Sequence, residues 1–239
     1  MNAENIYKCV CQVDAQSNVG GGRGTGFFYK KNDINYLVTN QHVLHDRTVL
    51  TLRLRLIEKD TLQQCTGIGK MPIITERLIE CQDTDIAAYP INELIDDYEK
   101  KGCQLDYYFI NQSYIVSELE KLQWIEEIVA IGYPMNLTDE GTYYPMSFKG
   151  ITTTPIIRKL DGKPDFLIDC NISKGGSGSP VFIEKNGTYK LVGIVYGNIR
   201  CESYIQNVNV ENNYHVDLLT CQKDTLSIAT VFNTLNNML

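Results

Sequence analysis

Short runs rich in Val, Ile, Tyr, Thr and Phe, separated by clusters of Gly, Asn and Asp, recur along most of this chain: IYKCVCQV, TGFFYKK, NYLVTN, VLTLRLRLI, DIAAYPI, EIVAIGY, FLIDCNI, PVFIEK and YKLVGIVYG. β-branched and aromatic residues suit a half-buried pleated surface, and turn residues at this spacing interrupt any long helix. The pattern predicts an all-β protein of barrel or sandwich type. Helix signal is confined to two places. In SELEKLQWIEE, residues 117–127, Ser117 followed by Glu120 predicts a capping box, and the C-terminal TLSIATVFNTLNNML is apolar at spacings of three and four. Residues 92–125 are charged, Tyr-rich and weakly patterned, and are read as a connection between two β units, residues 1–115 and 116–239.

A chain of 239 residues, 43% hydrophobic and 21% charged, can bury a sizeable core and has an ordinary globular composition. Its net charge of −7 repels phosphate backbones, which argues against nucleic acid as a partner. Arg53 and Arg55 alternate with leucines in VLTLRLRLIEK and are read as the solvated face of a strand. The N-terminus lacks the basic start and apolar run of a secretion signal, and no stretch has the length of a membrane span, so a soluble, cytoplasmic protein without a membrane partner is expected. In that compartment the eight cysteines, Cys9, Cys11, Cys65, Cys81, Cys103, Cys170, Cys201 and Cys221, are expected as free thiols. Cys9 and Cys11 fall on the same predicted strand face as Tyr7 and Val13, as small core residues. No C-x-x-C pair suggests a metal. Gly20-Gly21-Gly22-Arg23-Gly24 and Gly67-Ile68-Gly69-Lys70 lack the remainder of a phosphate-binding motif and are read as turns; no cofactor is expected.

Between FLIDCNI and VFIEK lies SKGGSGSP, residues 173–180. Glycines there allow positive φ and close approach to the backbone, so the loop can display a serine beside bare N–H groups; the same composition also suits a plain hairpin turn. A nucleophilic serine needs a base, and the base needs an orienting group. The three histidines are His42 in NYLVTNQHVL, His45 beside Asp46, and His215 in NNYHVDLL. Asp85, in CQDTDIAAYPI, directly precedes an apolar run, and a buried carboxylate requires a partner. Taken alone, His42 and Asp85 read better as a satisfied core histidine and a turn cap. Cys170 and Cys81, as nucleophiles of a cysteine peptidase, lack a glycine loop for an oxyanion.

The order His42, Asp85, Ser177 is the triad order of the chymotrypsin class. TGFFY, YLVTNQHVL, DTDIAAYPI, IVAIGYP, SFKGI, GGSGSPVF and LVGIVYG follow one another as in the trypsin-like serine peptidases, and the chain most resembles the bacterial and organellar branch that includes the HtrA-type proteases. The likeness covers nearly the whole chain, with TNQHV and GGSGSP the specific blocks. It implies two six-stranded antiparallel β-barrels with the active site between them and a C-terminal helix. The first barrel would carry His42 and Asp85, the second Ser177.

By the same resemblance Ser177 is the nucleophile, His42 the general base and acid, and Asp85 the orienting carboxylate, with the N–H groups of Gly175 and Ser177 as the oxyanion hole. Tyr196, Gly197 and Asn198 match the edge along which a substrate peptide pairs as an added strand. Asn171 matches the floor of the pocket for the side chain before the cut, with His215 behind it. The implied partners are a protein or peptide substrate, cut at limited sites, and a regulatory protein. The alternative is a trypsin-like fold kept as a peptide-binding module without turnover. Three departures from the family stand out: Ser179 replaces a usual glycine and is expected to narrow the site, Gly176 replaces the aspartate before the nucleophile, and no IVGG-type N-terminus is present. No PDZ domain fits in the remaining length.

Overall fold

The structure is a computed structural model that describes residues 1–139, 141–170, 172–203, 221–232 and 239. Fourteen strands form the framework of the described residues. In the first half they are β1 (Val10–Ser17), β2 (Gly20–Lys31), β3 (Ile34–Thr39), β4 (Val49–Glu58), β5 (Gln64–Pro72), β6 (Ile79–Glu80), β7 (Ala87–Pro90) and β8 (Cys103–Leu105). The second half contributes β9 (Glu127–Gly132), β10 (Met146–Thr152), β11 (Asp165–Asp169), β12 (Pro180–Lys185), β13 (Thr188–Ser203) and β14 (Cys221–Val231). Three helices accompany them: α1 (Ala3–Lys8), α2 (Gln41–Leu44) and α3 (Asn92–Lys100). Among the described residues no helix is long and apolar enough to cross a membrane.

The second half is the expected closed barrel, in the order β10-β11-β14-β13-β12-β9. The first half is one eight-stranded sheet, ordered β5-β4-β1-β2-β3-β7-β6 with β8 added on β4. Its two extra strands, β6 and β8, are only two and three residues long, too short to leave an alternating pattern in the sequence.

Period-two alternation divides the apolar residues among three cores. Phe28, Cys11, Val13, Leu50, Leu52 and Leu54 fill the first sheet, and Ile128, Ala130, Phe166, Ile168 and Val181 fill the barrel. A third core is shared: Phe27, Tyr29 and Val38 of the first sheet meet Phe182, Leu191, Ile194 and Phe232 of the second half. Phe232 sits edge-on to Phe27 and Tyr29, with centroids 5.6 and 5.4 Å apart. The two halves are thereby welded along β2, the strand that reaches the site.

Several local expectations change. The C-terminal helix is not found in the described residues: Cys221–Val231 is strand β14, paired to β11 and β13, so barrel closure overrides the helical periodicity of that stretch; residues 233–238 lie outside the described residues. The capping box at Ser117 does not start a helix, because the segment gives only a 3₁₀ turn at Leu119–Lys121 before joining β9. Helix α3 lies where a plain connection was expected and buries Leu94 and Tyr98, one turn apart. Both glycine clusters are strand, not turn. Side chains of Leu54, Leu56, Leu94 and Tyr98 lie over Gly69 and Gly67, where a Cβ would come 2.7 Å from Leu56 at Gly67 and 2.8 Å from Leu54 at Gly69. Tyr7 is helical, so Cys9 joins the shared core while Cys11 faces the first sheet's own core. Arg55 is not solvated: it is 4% exposed and stacks on Tyr107, with its Nη1 donating to the Tyr143 carbonyl at 3.0 Å. Six cysteines are free among the described residues.

Candidate active site

Strands β3 and β7 run antiparallel, with Thr39 opposite Ala87 as the last pair. The residues just after β3 and just before β7 must therefore meet, and these are the segment carrying His42 and the one carrying Asp85. His42 Nδ1 stands 2.5 Å from Asp85 Oδ2, and the His42 backbone N–H donates to Oδ1 at 3.0 Å. Buried Asn40 donates from Nδ2 to the Asp85 carbonyl at 2.6 Å, fixing the carboxylate from behind. A carboxylate against Nδ1 holds the ring proton there and turns Nε2 outward as an acceptor. The side chain of His42 is half exposed, whereas that of Asp85 is mostly covered.

The serine loop approaches from the other half. A Cβ on Gly24 of β2 would lie 2.6 Å from the Ser177 carbonyl and 3.3 Å from Val43, the neighbour of His42. The loop and helix α2 thus converge on one stretch of β2, and Gly24 is what lets them do so. Gly175 and Gly178 have φ of +96° and +87°, values that favour glycine. The N–H groups of Gly176, Gly178 and Ser179 are used, bonding Ser173, Val195 and Gly176 carbonyls at 3.0, 2.8 and 3.0 Å. Among the described residues those of Gly175 and Ser177 donate to nothing. Two backbone donors two positions apart, beside a half-buried serine, thus have no partner among the described residues.

Ser179 does not narrow the site. It is 1% exposed and turns inward, where Gly132 lacks the Cβ that would strike its Oγ. Gly176 is likewise forced, since a Cβ there would collide with Ile172. Cys170 and Cys81 make poor nucleophiles: burial pushes the Cys170 thiol up to about 12 and also raises Cys81, disfavouring both thiolates.

Tyr196, Gly197 and Asn198 lie on β13 beyond its last pair with β12, Pro180 opposite Ile194, and there Gly197 and Asn198 pair with Ile228 and Ser227 of β14. The Tyr196 hydroxyl donates to Asp165 at 2.6 Å and Asn198 Nδ2 to the Ile172 carbonyl at 2.9 Å. A cavity of about 910 Å³ opens here, lined by Asp85, Gln41, Lys163, Asp165 and Tyr196. A second, of about 540 Å³, is lined by Arg23, Asn136, Lys174 and Gly175. Asn171 and His215 lie outside the described residues. Sequence reasoning passed over Asp165, Asn40 and Thr25; each is a buried polar residue next to an apolar run, the same signal that picked out Asp85.

The chain is similar in fold to solved proteases. A thermostable serine protease, AL20, from an extremophilic microorganism aligns over 97% of this chain and 94% of its own, at 12% identity and a TM-score of 0.53. The HtrA-type protease AlgW with a tripeptide covers 98% of this chain and 60% of its own, at 13% identity and a TM-score of 0.56. Tobacco etch virus protease with product covers 100% of this chain and 80% of its own, at 14% identity and a TM-score of 0.58. No curated protein matches the sequence. The family profile described as Trypsin-like peptidase domain matches residues 24–194, from the glycine between helix α2 and the serine loop to the end of the β12–β13 pairing, and the chain belongs to that family.

Proposed function

We propose that the protein is a serine endopeptidase in which Ser177, His42 and Asp85 act as one unit. His42 Nε2 takes the proton of Ser177 Oγ as that oxygen attacks the scissile carbonyl. Asp85 holds the imidazole and stabilises its positive charge, and the Gly175 and Ser177 N–H groups receive the oxyanion. Protonation of the leaving amine by His42 then releases the first product and leaves an ester on Ser177. Water, deprotonated by His42, reverses the sequence and frees the acid. The observation that carries the reading is the Asp85 carboxylate bonded to both the ring and the backbone of His42, across Gly24 from Ser177, whose N–H and that of Gly175 have no partner among the described residues.

The substrate is a protein segment in extended form. Its residues before the cut run along β13 at Tyr196, Gly197 and Asn198, past the end of the β12 pairing, and reach the cavity beside Asp165, and those after the cut lie along Arg23 and Lys174. The family resemblance assigns the pocket floor to Asn171 and the position behind it to His215, both outside the described residues, and an uncharged pair of this kind favours a polar or small side chain before the cut. Gly176 leaves no room for an aspartate that would pair with a new N-terminus, so the oxyanion loop orders without processing of the chain, and control lies with a regulatory protein or with substrate supply.

The test is cleavage-site profiling on a library of proteome-derived peptides, with Ser177→Ala as the control. Cleavage by the wild type alone, after Gln, Asn or small residues, is expected. Dominant cleavage after Lys or Arg contradicts the polar floor, and equal cleavage by Ser177→Ala contradicts the enzyme assignment.

A further inference from the structure

Thr25 on β2 is fully buried, yet every polar atom it owns is bonded, and two of those bonds go to the serine loop. Its N–H donates to the Ser177 carbonyl at 2.8 Å and its Oγ1 donates to the Gly175 carbonyl at 3.2 Å. Oγ1 also accepts from the Tyr133 N–H at 3.0 Å, and the Thr25 carbonyl accepts from Thr39 Oγ1 at 2.7 Å. The single hydroxyl thus gives its one proton and accepts another. Room for this packing comes from two glycines: a Cβ on Gly132 would lie 2.6 Å from Thr25 Oγ1, and one on Gly178 would collide with the Thr25 carbonyl.

The C=O and N–H of a trans peptide point in opposite directions, so anchoring a carbonyl fixes where the N–H on the same plane points. The Gly175 N–H shares its plane with the Lys174 carbonyl, which accepts from Met135 N–H. The Ser177 N–H shares its plane with the Gly176 carbonyl, which accepts from Ser179 N–H at 3.0 Å. Those bonds are short-range or come from the loop's own half. The planes on either side of the Ser177 N–H, 175–176 and 177–178, are each held at the N–H by their own half, Gly176 on the Ser173 carbonyl and Gly178 on the Val195 carbonyl, and at the carbonyl by Thr25, the tie that comes from the opposite half of the molecule. Glycines at 175, 176 and 178 give the loop no side-chain barrier of its own against rotation of these planes.

We infer that the Thr25 hydroxyl is a positioning residue for the oxyanion hole: it clamps the Gly175–Gly176 peptide so that the Gly175 and Ser177 N–H groups stay convergent, and it ties their geometry to the strand against which the His42 helix packs. The inference rests on the serine-peptidase reading above. Removing an oxyanion donor outright lowers turnover by about 100- to 1,000-fold, so loosening its support should lower the rate by about 10- to 100-fold, with little change in ground-state binding.

The experiment measures the second-order rate of labelling by a fluorophosphonate, whose phosphoryl oxygen needs the same N–H groups, for wild type, Thr25→Val, Thr25→Ser and Ser177→Ala between pH 5 and pH 9. Labelling of Thr25→Val about 10- to 100-fold slower than wild type, with an unmoved pH midpoint and recovery to within about threefold in Thr25→Ser, is the expected result. An unmoved midpoint separates loss of oxyanion support from displacement of His42, which a general loosening of the fold would also cause. If Thr25→Val does not fold, Thr25→Cys, with a weak donor in place of the hydroxyl, should be slowed by at least about fivefold. A folded Thr25→Val or Thr25→Cys that labels at the wild-type rate overturns the inference. Wild type that fails to label, or Ser177→Ala that labels equally, overturns the serine-peptidase reading and this inference with it, and is distinct from slow labelling confined to the Thr25 variants.

Discussion

The two sides of the candidate site are built from different materials. On the first-sheet side, side chains do the holding: His42 Nδ1 against Asp85 Oδ2 at 2.5 Å, and Asn40 Nδ2 on the Asp85 carbonyl at 2.6 Å. On the barrel side the loop of residues 173–179 is held almost wholly by backbone carbonyls and N–H groups, with Gly175 and Gly178 at positive φ. The base half should therefore be sensitive to what a side chain can donate or accept. The nucleophile half should be sensitive to whether a side chain exists at all. A proton acceptor is tuned by its neighbours, whereas an oxyanion receptor only needs its donors in place.

The largest effects should come from the three residues at which the halves meet. Ser177→Ala and His42→Ala are each expected to lower turnover about 10⁴- to 10⁶-fold, and the double variant little further, since members of one unit are not additive. Asp85→Asn is expected to lose about 10⁴-fold, because an amide permits the wrong imidazole tautomer. Steady-state kinetics on a cleaved peptide checks all three, and additive losses in the double variant would split the unit.

Gly178→Ala breaks the other half without touching a reacting atom. The new methyl meets the Thr25 carbonyl and the Thr39 hydroxyl at a φ of +87°, so a loss of about 3 kcal/mol or more in unfolding free energy is expected, with activity lost in parallel. Denaturant unfolding measures it. Gly187, also at positive φ but with open space around it, is the control: Gly187→Ala should lose only about 1 kcal/mol. Equal losses at the two positions would mean that the tight packing of the serine loop is not what requires glycine.

What the chain disclosed in its sequence divides along the same line. Side-chain chemistry was legible: His42 and Asp85 sit where a strand ends and another begins, and antiparallel pairing of Thr39 with Ala87 then obliges them to meet. The serine loop announced itself through its glycines. Hidden from the sequence was whatever depends on contacts remote along the chain. Barrel closure makes strand of a helix-patterned stretch at Cys221–Val231, and stacking on Tyr107 buries Arg55 in a run that alternates like a solvated edge. Thr25 looks like one more β-former in TGFFY until its hydroxyl is seen bonded to Gly175, 150 positions away.

Smaller effects sharpen the contrast. Asn40→Ala removes a buried donor to the Asp85 carbonyl and should lower turnover about tenfold, with little change in KM. His45, three positions after His42, tests whether a neighbouring histidine pair matters: it bonds Glu80 at 2.9 Å, and that bond, with the charge of Glu80 and Asp46, raises its pKa. A raised folded pKa gives stability that is fully present below the unfolded value, near pH 6.5, and is lost as pH rises through the folded value. Because the ring is exposed, His45→Gln should lower the melting temperature only slightly, at about pH 5.5, and not at about pH 9. An equal loss at both values would point to packing instead of charge.

The central claim is that a side-chain-built base and a backbone-built receptor form one active site around Ser177. Its most direct test is intact-protein and peptide-mapping mass spectrometry after brief exposure to a fluorophosphonate. The account predicts a single adduct, located on Ser177, absent from Ser177→Ala and slowed by at least about 1,000-fold in His42→Ala. An adduct elsewhere in the chain, or one on Ser177 that forms as fast without His42, would contradict it.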